Sequence, residues 1–121
     1  MNEAEFFALL NPALPGRVFR ILAPQDVREP YVIISVISAQ PRMTLCGATP
    51  LWQMNYRVDS YARTHQDAKE IMKRILRIID ACNGDPMYED WQEMHEQDTR
   101  IHRVSVVVSL SWQPDQPVQE Q

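Results

Sequence analysis

Glycine and cysteine are both scarce in this chain of 121 residues, and each scarcity excludes a class of site. The three glycines, Gly16, Gly47 and Gly84, lie far apart and form no glycine-rich loop that could cradle a phosphate. The two cysteines, Cys46 and Cys82, match no metal-ligand spacing and are too few for a disulfide framework. We therefore expect reduced thiols and no bound cofactor.

Long apolar runs are also lacking. No window approaches the roughly 18 apolar residues that a membrane span needs, and the first residues, MNEAEFFALLNP, contain neither a basic leader nor a signal-peptide core. These absences predict a soluble protein made in a cytoplasm and no membrane partner.

Residues suited to catalysis are present but not grouped. His95 lies near Glu93 and Glu96, yet a strand would place Glu96 on the opposite face, so no three-ligand metal site is evident. The serines lie within strand patterns and lack the GxSxG turn that exposes a nucleophile. We expect neither catalytic activity nor a metal site.

Basic residues consist of ten arginines and only two lysines, and they are scattered. The formal net charge is −4 and the sequence pI is about 5.3, which opposes strong sequence-independent binding to DNA. Six acids without a Lys or Arg between them form a segment that suits either a solvated face or an acidic surface with a function: Asp85, Glu89, Asp90, Glu93, Glu96 and Asp98.

The length and the 45% apolar content fit one compact domain. We assign this domain to residues 1–113 and expect residues 114–121, which are polar and contain proline, to be a flexible tail. Charged Glu3 and Glu5 begin a short N-terminal helix that Pro12 and Pro15 end, and a short strand follows at 17–21.

Two stronger strands precede a long helix. β-Branched residues fill 31–37, with Pro41 as the expected outer limit of that strand, and strict alternation follows from Trp52 to Asp59. Thr64 can cap the next helix, whose apolar residues form one stripe: Ala68, Ile71, Met72, Ile75, Leu76, Ile79 and Cys82.

Two further strands complete the pattern, at 87–99 and at 101–112. The first has Met87 and Trp91 as its expected anchors. The order predicts an α+β fold in which both helices pack on one face of a mainly antiparallel sheet. The other face is polar enough to meet solvent or to line an assembly.

Residues 40–51 are expected to form an arm between the two long strands. Met43, Leu45 and Leu51 are apolar residues that would be poorly placed in solvent, so we predict them, together with Arg57 on the polar face, as candidates for a subunit interface. A loop folded back on its own core is the other interpretation of this arm. A polar strand edge able to pair with a neighbour is a second candidate interface element.

Short motifs in a fixed order resemble the tail-completion family of tailed phages and prophages. They are RVFR at 17–20, PQD at 24–26, PYVII at 30–34, TLCG at 44–47 and VDSYA at 58–62, followed by the helix. Asp26, Cys46 and Ser60 depart from the family's usual glycine, acid and branched residue. The match covers about 17–82.

This resemblance implies a tail terminator or head-to-tail joining protein of a virion tail, assembled in the host bacterial cytoplasm. Such proteins form rings, typically hexameric, at the head-proximal end of the tail tube. The implied partners are further copies of the chain, the tube protein, the connector proteins of the head, and genomic DNA that passes without tight binding. The acidic segment would then be a possible lining of the ring.

A different class remains open from the residues alone. A small α+β module that dimerises through its sheet and binds a ligand or regulates another protein has the same composition. A stable dimer with a tightly bound small molecule would favour that alternative.

Overall fold

A computed structural model describes residues 3–24, 27–42, 51–82 and 85–112. Two α-helices, a short 3₁₀ turn at Asn11–Ala13 and five strands make up this part of the chain. In chain order they are α1 (Glu3–Leu10), β1 (Val18–Arg20), β2 (Tyr31–Arg42), β3 (Leu51–Ala62), α2 (His65–Asp80), β4 (Met87–Glu96) and β5 (Ile101–Trp112).

The strands form one sheet in the order β1-β2-β3-β5-β4. β1 pairs in parallel with β2, whereas all the other neighbours are antiparallel. The predicted α+β fold with a mainly antiparallel sheet is confirmed. β3 is the central strand, because two strands lie on either side of it. β1 pairs with only part of β2.

Helix α2 begins at the predicted cap. Thr64 has extended backbone angles, and its Oγ1 accepts a hydrogen bond of 3.0 Å from the main-chain N–H of Asp67. The helix then turns its apolar stripe toward the sheet, which buries Ala68, Ile71, Met72, Ile75 and Ile79.

Both helices pack on the same face of the sheet. Phe6 and Leu10 of α1 are fully buried, and the ring of Phe6 stacks on Tyr56 of β3 with centroids 4.2 Å apart. Arg74 of α2 donates to the carbonyl of Ala13 over 2.9 Å, which ties α2 to the segment after α1. Ser60 lies under α2 and donates to the carbonyl of Ala68 over 2.9 Å.

Strand β2 continues past its predicted limit. Pro41 lies inside the strand, which ends at Arg42, because β1 has already ended and no strand on that side needs the missing N–H. The predicted arm at 40–51 is correspondingly shorter: residues 40–42 belong to β2, and Leu51 is the first residue of β3. Residues 43–50, and the tail predicted at 114–121, lie outside the described residues.

Strand β4 is present as predicted, but its anchors are not. Nearly every residue of β4 is exposed, and Met87 and Trp91 are among them. The reason is position: β4 is the outermost strand of the sheet, so its side chains lack a second neighbouring strand. Met94 is half-buried.

Within the described ranges, no helix has the length and apolar character required to cross a membrane.

Candidate assembly surfaces

The sheet face opposite the helices, which we call the open face, is polar and extensively hydrogen-bonded. It presents the odd-numbered residues of β3 from 53 to 61 and of β5 from 103 to 111, since the even-numbered ones pack under the helices. Asn55 is the centre of one network: it donates to Ser38 over 2.8 Å and accepts from Ser109 over 2.6 Å and from Gln53 over 3.1 Å.

A buried ion pair lies on this face. Arg103 Nη2 is 3.3 Å from Asp59 Oδ2, and the Asp59 side chain is only 7% exposed. Asp59 Oδ1 and Arg103 Nε are both buried without a hydrogen-bond partner. A buried polar atom without a hydrogen-bond partner reduces the free energy of unfolding. A donor placed near Asp59 Oδ1 and an acceptor placed near Arg103 Nε would therefore be stabilising. Of the two alternatives predicted for this face, contact with solvent does not hold for Asp59, Ser105 and Ser109, which are buried. The other alternative, that the face lines an assembly, stays a prediction.

Aromatic rings border the ion pair. The Arg103 guanidinium carbon lies 5.6 Å from the ring centre of Tyr61, and Tyr61 stacks on Tyr31 with centroids 4.7 Å apart. Burial, followed by the Asp59 charge, raises the pKa of Tyr61 to about 12 although Arg103 acts in the opposite direction. Burial also raises the pKa of Tyr31, with the charges of Glu29 and Glu96 adding to the effect. Both phenols are neutral at physiological pH.

Among the described residues, two edges of the sheet have no neighbouring strand, and we call them free edges. One, the β4 edge, is the outer side of β4, where Met87 is 59% and Trp91 41% exposed. The register of β4 against β5 shifts between Glu89 and Gln92, and Asp90 there has a φ of 61°. A bulge of this kind is a common feature of edge strands.

The other free edge, the β1–β2 edge, consists of β1, Ile21, Leu22 and the part of β2 beyond β1. β1 pairs only with residues 32–34 of β2. Ile21 has a φ of 70° and is 66% exposed, and Leu22 is 76% exposed. Val36 and Ile37, at a bulge in β2, are also exposed. This edge is therefore apolar as well as unpaired.

Three histidines meet beside α2. His95 stacks on His102 with centroids 4.4 Å apart, His65 lies 6.0 Å from His102, and His65 Nε2 is 2.5 Å from Glu93 Oε1. Hydrogen bonds from Trp91 and then His65 lower the pKa of Glu93. In the part of the chain that the structure describes, no group of histidine, cysteine or acidic residues has the geometry to hold a metal ion.

A cleft of about 410 Å³ lies between α2 and the segment around Pro30. Charged side chains dominate its rim, including Glu29, Arg63 and Arg74, and Arg63 is bonded to Glu29 over 3.2 Å. Among the described residues, its lining contains carboxylates and arginines but no histidine, cysteine or serine.

The predicted site residues do not form one group. Arg57 lies half-buried on the open face, with Ser105 Oγ 3.4 Å from its Nη1; Leu51 begins β3, and Met43 and Leu45 lie outside the described residues. Register divides the predicted acidic segment: Glu89 and Glu96 project on the open face, opposite Val107 and Ile101 of β5. The remaining acids are Asp85 before β4, Asp90 in the bulge, Glu93 on the helix side and Asp98 in the turn.

Sequence reasoning predicted a strand edge as an interface element but did not say which strand forms it, and it missed the Asp59–Arg103 pair. The alternation of β3 and β5 does place both charges on one face, so opposite charges at 59 and 103 were the available signal. The exposure of Ile21 and Leu22 was harder to predict. Its only indication in the sequence is that this apolar pair directly follows a short strand.

A family model described as tail completion protein gp17 matches residues 3–111. This chain belongs to the tail completion protein family. It is accordingly a structural protein of the phage tail, and its location is the virion tail. The family that the order of the motifs predicted is therefore confirmed.

The fold of this tail completion protein is similar to that of a chain in the virion of a native gene transfer agent (GTA) particle. The two chains superpose with a TM-score of 0.51 at 11% identity, over 86% of this chain and 84% of the other. At that identity the likeness concerns the fold. Among curated proteins, none matches this chain.

Proposed function

We propose that this tail completion protein is a tail terminator or head-to-tail joining subunit that forms a ring, with six copies as the expected number, at the head-proximal end of the tail tube. The observation that carries the proposal is the family match, which spans almost the whole chain. Its partners are then further copies of itself, the tube protein and the connector proteins of the head.

The shape of the subunit supports this role. A closed ring requires two different surfaces on each copy that fit one another. The described part of the sheet has two free edges of unlike composition, which could serve as these two surfaces. Met43, Leu45, Leu51 and Arg57 remain candidates for the contacts with neighbouring subunits or with the tube.

We further propose that the protein acts without catalysis, and that the open face lines the channel through which DNA passes. Glu89 and Glu96 project on that face. Carboxylates repel phosphates, which allows DNA to move without tight binding. The other predicted lining residues, Asp85, Asp90, Glu93 and Asp98, lie along the same strand and its ends.

Deletion of the gene from the parent phage tests the role. A terminator or joining protein predicts filled heads without tails and, for a terminator, tails of uncontrolled length, as seen by electron microscopy. Normal virions in the absence of the protein would contradict the proposal.

The solution mass gives a second measurement. Light scattering over a concentration series should detect a six-fold species that is lost in the double variant Met43→Asp, Leu45→Asp if the segment at 43–50 contributes to the interface. A stable dimer that is indifferent to these changes would favour the dimeric ligand-binding or regulatory alternative instead.

A further inference from the structure

The two free edges of the sheet differ in charge. β4 contains Glu89, Asp90, Glu93 and Glu96 and has no Lys or Arg. The β1–β2 edge instead has Arg17 just before β1, Arg20 at its end and Arg28 close by. Arg20 is already paired with Glu3 of α1 over 2.8 Å, so Arg17 and Arg28 supply the positive charge of this edge. Arg17 donates to the main-chain oxygens of Arg28 and Pro30, neutral acceptors that leave its positive charge in place.

The chain keeps the β1–β2 edge open. After three strand residues, Ile21 adopts a φ of 70° and Leu22 N–H donates to Arg20 C=O over 2.7 Å, which turns the chain away from β2. Positive φ is unfavourable for a β-branched residue. In the described part of the chain, the turn leaves β2 from Ser35 onward without a neighbour on that side. Backbone strain of this kind is concentrated at functional sites.

Both edges also carry exposed apolar side chains. Trp91 and Met87 project from the β4 edge, whereas Val36 and Ile37 lie at the β1–β2 edge beside Ile21 and Leu22. Aromatic residues such as Trp are the side chains that most often anchor an interface.

We propose that β4 of one copy adds edge to edge to the β1–β2 edge of the next copy, so that one sheet continues from subunit to subunit. The pairing ends before Pro41, which has no N–H to donate to a strand on that side. The inference rests on the proposed ring and specifies its subunit contact. Main-chain hydrogen bonds between edge strands supply the affinity, and side-chain pockets set the register.

Charge decides between this head-to-tail contact and a two-fold one. Two β4 strands paired with each other would place acids opposite acids, which destabilises a strand pair. β4 against the β1–β2 edge brings acids toward arginines instead. After a head-to-tail contact the pair of copies still has one free edge of each kind, so further copies can add until the ring closes.

Two double variants test the contact, one for each edge. Val36→Asp with Ile37→Asp disables the β1–β2 edge, and Met87→Asp with Trp91→Asp disables the β4 edge. Ala4→Asp with Gln66→Asp is the matched control, because it adds the same charge at exposed helix positions. Circular dichroism and thermal melting establish that each variant is folded.

Light scattering should show that the wild type and the control associate, whereas each edge variant has a dissociation constant raised about ten-fold or more. Mixing the two edge variants should give a one-to-one dimer and nothing larger, because the mixture contains one intact pair of edges. A two-fold contact would give no such dependence on mixing.

Three results would overturn the inference: an edge variant that associates like the wild type, a mixture that forms no dimer, or a wild type that stays monomeric at its highest soluble concentration. The last result counts because both edges are already formed in the free chain. None of the three would overturn the proposed function, which the deletion phenotype tests separately.

Discussion

Asp59 and Arg103 carry opposite charges on the open face, and each leaves one buried polar atom unpaired. We expect Arg103→Met to reduce the free energy of unfolding by about 3 kcal/mol, because it leaves a buried carboxylate without its partner. Asp59→Leu combined with Arg103→Met should restore most of that loss, since no charge then remains to be desolvated. Urea unfolding of the two single variants and the double variant measures the coupling; equal losses in Arg103→Met and the double variant would contradict it.

His102 makes the stability depend on pH. Burial, followed by the charges of His95 and His65, lowers the pKa of His102 below its usual 6.5. The unfolded chain therefore binds this proton more readily than the folded one, so stability falls as the pH drops through 6.5 and is fully present above it. His65, one of these two neighbours, is itself bonded to Glu93, which lies 4.0 Å from Lys69.

We expect the melting temperature of the wild type to fall between about pH 7.5 and about pH 5.5, and His102→Gln to flatten part of that slope. Melting followed by circular dichroism at several pH values measures it. Parallel curves for the two proteins would show that His102 is not responsible.

At the scale of elements, α1 is held to the sheet chiefly by aromatic packing. Phe6 is fully buried and stacks on Tyr56. Phe6→Ala should cost about 3 to 5 kcal/mol through lost burial and the cavity left behind. Phe6→Leu retains most of the apolar volume and should cost clearly less. Chemical unfolding ranks the two variants, and a similar small loss in both would mean that α1 contributes little to the fold.

Helix α2 depends at its start on a single side-chain cap. Thr64→Ala removes the oxygen that accepts from the Asp67 N–H, so we expect a loss of about 1 kcal/mol. Thr64→Ser keeps the oxygen and is the matched control. The loss should be absent in the serine variant; if serine and alanine are equally destabilising, the threonine acts through its methyl group rather than through the cap.

Local patterns predicted the elements better than their arrangement. The stripe of α2 and the alternation of β3 and β5 follow from periodicity, which reports which face is buried. Pro41 misled the boundary of β2, because proline excludes only a partner strand on its own side and the sequence does not say where β1 ends. Ser60 breaks the apolar pattern for a reason visible only in three dimensions, its hydrogen bond to Ala68 of α2.

The candidate surfaces were predictable to a smaller extent. The acidic residues are close together in the sequence, but the register of β4 on β5 divides them between two faces and a bulge. The number and spacing of the charges do not predict this division. The exposure of Trp91 likewise depends on β4 being the outermost strand. Strand order is set by contacts distant in sequence, and these leave little trace in local composition.

At the scale of the whole molecule, the negative net charge bears on how the tail handles DNA. A chain with a net charge of −4 should not bind duplex DNA at physiological salt. In the proposed ring the position of the charges matters more than their sum, because only those on the open face meet the DNA.

Glu89→Lys with Glu96→Lys tests this distinction, since it reverses the charges that project on the open face. We expect virions carrying this pair to release their DNA more slowly, because phosphates are then attracted to the channel wall. Glu5→Lys with Glu70→Lys makes the same change of net charge at exposed positions of the helices and should leave the rate unchanged. Release rates measured by dye binding on triggered virions decide the matter: an equal delay in both variants would assign the effect to net charge and remove the open face from the channel.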